Sequence, residues 1–94
     1  MRTIRIGTQQ VDVVFNAMED GDFGEFVAFP KPTIRINNSV PIEIQRLSLL
    51  HEMLHAVSEV YGLNLSEAQV RCLEQGLGQT MSEPDVWSFI SGQL

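Results

Sequence analysis

Leu49-Leu50-His51-Glu52-Met53-Leu54-His55-Ala56-Val57 is the stretch on which the fold turns. Around it Leu47, Leu50, Leu54, Val57 and Tyr61 recur at the spacing of one helix face, and Gly62 supplies a stop. Ser39-Val40-Pro41 offers a start, with proline tolerated in the first turn and Glu43 favoured near the positive end of the dipole. A helix of about twenty residues is about 30 Å long, the full width of a domain this size. Downstream the chain stays helical. Ser66 with Gln69 resembles a capping box and opens a second helix with apolar positions Val70, Leu73, Leu77 and Met81. Ser82-Glu83-Pro84-Asp85 breaks it and starts a short third helix bearing Val86, Trp87, Phe89 and Ile90. Trp87 and Phe89 are expected to seal the core as a C-terminal lid, whereas exposed they would mark a partner site.

Upstream the pattern changes to strands. Thr3-Ile4-Arg5-Ile6, Val11-Asp12-Val13-Val14-Phe15, Phe26-Val27-Ala28-Phe29 and Thr33-Ile34-Arg35-Ile36-Asn37 are four β candidates. Asp20-Gly21-Asp22 is a turn signal, and Pro30-Lys31-Pro32 forms a corner because proline cannot join a ladder. Asp20-Gly21-Asp22-Phe23-Gly24-Glu25 lacks the register of a calcium loop and reads as a hairpin. Thr-Ile-Arg-Ile occurs at both 3–6 and 33–36, but nothing between the copies matches, so it marks two similar strands and not a repeat. Strands first and helices afterwards predict an α+β fold: a small, mainly antiparallel sheet of about four strands, then two main helices and a short third one.

The chain of 94 residues makes one domain, 1–94. A core this small gives thin stability and leaves room for a metal or a partner as a staple. Hydrophobic residues make up 44% and charged residues 19%, a globular composition. Twelve acidic against six basic side chains give a net charge of −6 without a basic cluster. That argues against nucleic acid or an anionic membrane as partner. The single Cys72 excludes an internal disulfide and suits a reducing compartment. Met1-Arg-Thr-Ile-Arg-Ile has no signal-peptide pattern and no apolar run reaches membrane-spanning length, so a cytoplasmic location is expected.

One motif carries chemistry. His51-Glu52-Met53-Leu54-His55 is H-E-x-x-H on the long helix, and these are the only histidines in the chain. Side chains four apart stand one turn apart on one face, so both imidazoles reach a single ion, and zinc accepts neutral histidine nitrogen. Glu52, rotated one helical step from them, suits a general base acting on water beside the metal, not a ligand. A hydrolytic zinc site, one ion per chain, needs a third protein ligand. The second helix offers Glu67, Cys72 and Glu74. Glu74 is the first candidate: it lies mid-helix beside Val70, Leu73 and Leu77, where a carboxylate is costly without a partner, and Gly78 one turn on lets the helices approach. Glu67 is the second, since a first-turn acid already has a capping and dipole explanation. Cys72 lies nearly opposite Glu74 on the helix.

These residues resemble the zincin metallopeptidases of the gluzincin branch, in which H-E-x-x-H on one helix meets a Glu on the next. Phe23-Gly24 before a strand, Ile34-Arg35-Ile36 ahead of the helix, Leu49 to Val57 and the Glu-bearing helix are similar, more closely, to the small ImmA/IrrE-like or minimal zincins, many of them phage or prophage encoded. The resemblance implies a minimal zincin-like fold, His51 and His55 as zinc ligands, Glu52 as general base and Glu74 as third ligand. It also implies that the strand of Ile34, Arg35 and Ile36 is the edge that binds extended substrate. Where the thermolysin-like form has ExxxD, this chain has Gly78 in place of the aspartate. The ImmA-like E-x-x-A-N-x-F-A aligns best with Glu67 to Glu74, which makes Glu67 the ligand. With no further histidine, Tyr61 and Arg71 are the candidate oxyanion donors. The expected function is zinc-dependent hydrolysis of a peptide or protein substrate. The alternative is a non-catalytic, zinc-stabilised interaction domain.

Overall fold

Alternation in the first forty residues becomes a four-stranded sheet in a computed structural model that describes residues 2–19 and 21–93. The strands are β1 (Arg2–Ile6), β2 (Gln9–Asn16), β3 (Gly24–Val27) and β4 (Thr33–Asn37). The helices are α1 (Ile42–Tyr61), α2 (Glu67–Met81) and α3 (Val86–Ile90). The α+β class and element order follow the sequence reading. The sheet, of order β1-β2-β4-β3, is mixed: β1/β2 and β3/β4 are antiparallel, while β2 and β4 run parallel at the centre. The acidic Gly-rich segment therefore does not close a hairpin, because β4 lies between β2 and β3; its Asp20 is outside the described residues.

This order corrects one expectation. The strand of Ile34, Arg35 and Ile36 is not an edge, since β4 pairs with β2 on one side and β3 on the other. Ile34 and Ile36 are wholly buried, which fits a central strand. The edges are β1 and β3; β3 is held at its start by Asn37, with Asn37 N donating to Phe23 O at 2.9 Å and Asn37 Nδ2 to Asp22 O at 2.9 Å.

The core lies between the sheet and α1. Ile6, Val11, Val13, Ile34 and Ile36 meet Ala56, with Leu49, Met53, Val57 and Val60 packed around them. The α1 stripe is thus rotated from the expected one: Leu47 and Tyr61 are exposed, and Tyr61 leaves the sheet to lie over Gly7, where an added Cβ would stand 2.8 Å from its hydroxyl. A helix with two neighbours needs apolar residues on two faces, which blurs a single stripe.

Gly62 ends α1 in the left-handed conformation (φ 64°) that a Cβ would disfavour, and Leu63 N donates to Ser58 O at 2.9 Å. Leu65 N donates to Ser58 Oγ, also at 2.9 Å. Ser66 then caps α2: its Oγ accepts from Gln69 N at 3.1 Å while Gln69 Oε1 accepts from Ser66 N at 2.8 Å, the capping box expected from sequence. The short loop lays α2 across α1. Gly78 faces α1 without tight contact, because a Cβ there would meet Leu47 Cδ2 at 3.5 Å and Leu50 Cδ2 at 3.6 Å. Close helix approach therefore does not require this glycine. Gly78→Ala should stabilise by roughly 0.5–1 kcal/mol through helix propensity. A thermal melt checks it; a lowered midpoint would mean that the added methyl strains the helix pair.

On the outer sheet face, Asp12 is buried, with Oδ2 2.9 Å from Lys31 Nζ and Oδ1 accepting from Thr3 Oγ1 at 3.1 Å. The hydrogen bond from Lys31 holds its carboxyl below the ordinary aspartate value, against the effect of desolvation. A lowered native pKa contributes stability above the ordinary value and loses it as pH falls through the native one. The stability gap between wild type and Lys31→Met should be full at about pH 6 and close in stronger acid. Urea midpoints along that series measure it; a gap that persists in strong acid would assign the effect to packing of the lysine stem.

Candidate metal centre

α1 turns His51 and His55, one turn apart, away from the sheet and toward α2. Their Nε2 atoms lie 3.2 Å from each other. The loop at Gly62 brings the first turn of α2 over them, so that Glu67 Oε1 is 2.8 Å from His51 Nε2 and Glu67 Oε2 is 3.0 Å from His55 Nε2. Among the described residues these three offer ligand atoms all within 4.8 Å of one another, and the group could hold a metal ion. Tetrahedral coordination with bonds of about 2.0–2.1 Å spaces neighbouring donors by about 3.3 Å, so the observed separations need to open by only a few tenths. Two imidazoles and one carboxylate are also the donor chemistry of a catalytic zinc site. The residues present fit the ion.

Glu74 is brought to the same cluster in another role. Its Oε1 lies 2.6 Å from His51 Nδ1, the ring nitrogen that faces away from His55. The group that could hold an ion thus includes Glu67, the second candidate from the sequence, and not Glu74, the first, whose contact is with the other nitrogen of His51. Were both Nε2 atoms to coordinate an ion, His51 Nδ1 would carry the proton and donate it to Glu74, which would fix tautomer and ring orientation.

Glu52 points elsewhere from the same helix. Only 8% exposed, it makes no hydrogen bond or ion pair with a described residue. Burial raises its pKa above the ordinary glutamate value; the nearby His51 and His55 pull the other way. Gly24 of β3 lies over it, so close that an added Cβ would come within 3.3 Å of Glu52 Cγ. Two clefts open at this point and share Gly24, His51, Glu52 and Glu67 in their walls. One, of about 390 Å³, adds Phe23, Ile44, Leu47 and Arg71; the other, of about 560 Å³, adds Phe26, Ser58, Glu59 and Asn64. Together they flank the histidines along the open edge of β3.

Of the two oxyanion candidates, Arg71 is at the site: it lines the first cleft, with Nε 3.8 Å from Glu67 Oε1 and its side chain 70% exposed. Tyr61 is not, because its ring lies over Gly7 and lines neither cleft. Phe23-Gly24 entered the sequence reading only in the resemblance and the expected hairpin; the approach of Gly24 to Glu52 and the edge position of β3 escaped it. Their one signal is a glycine at the start of a strand, a place where backbone or side chain must come close. No helix among the described residues is long and apolar enough to cross a membrane. Comparison of the chain with protein-family profiles, with curated proteins and with solved structures finds no match.

Proposed function

We propose that the protein is a zinc-dependent peptidase of the minimal zincin type, with His51, His55 and Glu67 as metal ligands and Glu52 as general base. The observation that carries the reading is Glu52: a buried carboxylate with no hydrogen bond or ion pair among the described residues, beside a donor set that could hold a metal ion and facing two clefts. Burying an unpaired acid costs stability, and a purely structural site has no use for one. The Glu67 position is also where the ImmA/IrrE-like pattern carries its ligand.

Zinc bound at these residues supplies Lewis acidity toward a carbonyl oxygen and makes water a nucleophile near neutral pH. The protein supplies the rest. Glu52 takes the proton of the attacking water on its carboxylate and returns it to the leaving nitrogen. Glu74 keeps the His51 ring in the coordinating tautomer. The free N–H and C=O groups of the β3 edge bind an extended peptide as an added strand across the site. Arg71 is free to turn toward a developing oxyanion at the first cleft. A peptide or protein is the substrate class, and the acidic surface argues against nucleic acid. The lone, exposed Cys72 suits a reducing cytoplasm.

Metal analysis tests the site first: protein made without chelator should carry about one zinc per chain. Zinc present at 100 times its dissociation constant adds about 2.7 kcal/mol to stability, which in a domain this small moves the melting midpoint by more than about 10 °C. An unchanged melt after verified metal removal, or no zinc uptake, would overturn the metal site. Cleavage of a mixed peptide library by the zinc form, read by mass spectrometry, tests the activity.

A further inference from the structure

α3 is apolar on all sides yet covered on one. Four of its five residues are Val86, Trp87, Phe89 and Ile90, and its substantial packing partner is α2. Trp87, Phe89 and Ile90 are 52%, 74% and 66% exposed. The expectation that Trp87 and Phe89 seal the core is therefore corrected: they stand outside it. Leu73, Leu77 and Met81 of α2, read from sequence as core positions, are exposed as well. A helix that is hydrophobic all round belongs in an interior, and five residues do not hold a helix on their own.

The chain as a whole exposes more surface than its mass requires. A compact monomer of 10.5 kDa exposes about 5,400 Å², whereas this chain exposes 6585 Å², an excess of roughly 1,200 Å². A stable interface takes about 800 Å² from each partner. Charge indicates what kind of partner fits. From Gln75 to Gln93 the only charged side chains are Glu83 and Asp85, in a chain of net charge −6. Two copies meeting here keep most of their like charges apart, and the absence of any Lys or Arg in this span disfavours an anionic bilayer.

We propose that the α2–α3 surface, built on Leu73, Leu77, Met81, Trp87, Phe89 and Ile90, is the interface of a symmetric homodimer. A two-fold contact buries α3 of each copy against α2 and α3 of the other. The inference is independent of the metal centre, whose candidate donors lie on α1 and on the first turn of α2.

Sedimentation of the full chain between about 1 and about 100 µM is the test. The expected mass rises to twice the 10.5 kDa chain mass. Trp87 is the only tryptophan, so its emission should shift to the blue and resist quenching as the dimer forms. The double variant Phe89→Asp/Ile90→Asp should sediment as a monomer throughout, with an unchanged far-UV circular dichroism spectrum. Leu77→Glu on α2 should do the same, and covers the case in which the first variant disturbs α3 itself. A wild-type chain that stays monomeric at the highest concentration overturns the proposal, whether or not it then floats with lipid vesicles. So does a folded variant that still dimerises.

Discussion

Glu52→Gln should fold, keep its zinc and lose roughly 10²–10⁴-fold in peptide hydrolysis, the usual contribution of a positioned general base. The substitution keeps size and shape in a pocket where Gly24 leaves little slack. It removes only the ability to take a proton. Stability separates this role from a structural one. Desolvation raises the Glu52 pKa, which means that the folded chain bears a cost for holding the charged form. An uncharged amide lifts that cost, so the melting midpoint of Glu52→Gln should be equal to or above that of wild type while turnover collapses. A structural carboxylate would give the opposite: a lowered midpoint, or lost zinc. The assay compares the two zinc-loaded proteins on one peptide library by mass spectrometry. Equal cleavage by both would remove Glu52 from the mechanism.

Features set by neighbours in sequence were legible in it, and features set by neighbours in space were not. The capping box at Ser66 and Gln69 and the stop at Gly62 depend on a few adjacent residues, and both stand where the pattern put them. The pair His51 and His55 depends only on helical period. Strand order is different. Two β-branched strands at Val11 and Ile34 look alike whether they lie at an edge or a centre, and only the return of β3 to the far side of β4 makes Ile34–Ile36 central. The edge available to the proposed substrate is thereby that of Gly24–Val27. The grouping of Glu67 with the two histidines was hidden for a related reason. First-turn acids are so well explained by the helix dipole that Glu67 seemed accounted for, yet its direction is set by the loop at Gly62 and Ser58, which swings that first turn over the histidines. Apolar spacing likewise marks the faces of α2 and α3 without saying whether a covering element exists, and none of the described residues provides one.

The ligand order gives the other large effect. Glu67→Ala removes a donor that touches both histidines, whereas Glu74→Ala removes the group that orients one of them. Loss of an orienting carboxylate typically costs 10–100-fold in metal affinity. Loss of one of three protein ligands should exceed that range, so zinc affinity should fall in the order wild type, Glu74→Ala, Glu67→Ala. Competition against a chelator of known affinity measures all three. Glu74→Gln refines the comparison: its amide oxygen still accepts from His51 Nδ1 but carries no charge, so it should recover part of the affinity that Glu74→Ala loses. No such rescue is expected of Glu67→Gln, because a neutral amide is a poor substitute for a carboxylate ligand on zinc. The reverse order, with Glu74→Ala the more damaging and Glu67→Ala near wild type, would place Glu74 on the ion. Glu67 would then be only a first-turn acid favoured by the dipole of α2, its approach to both Nε2 atoms a contact of the metal-free side chains.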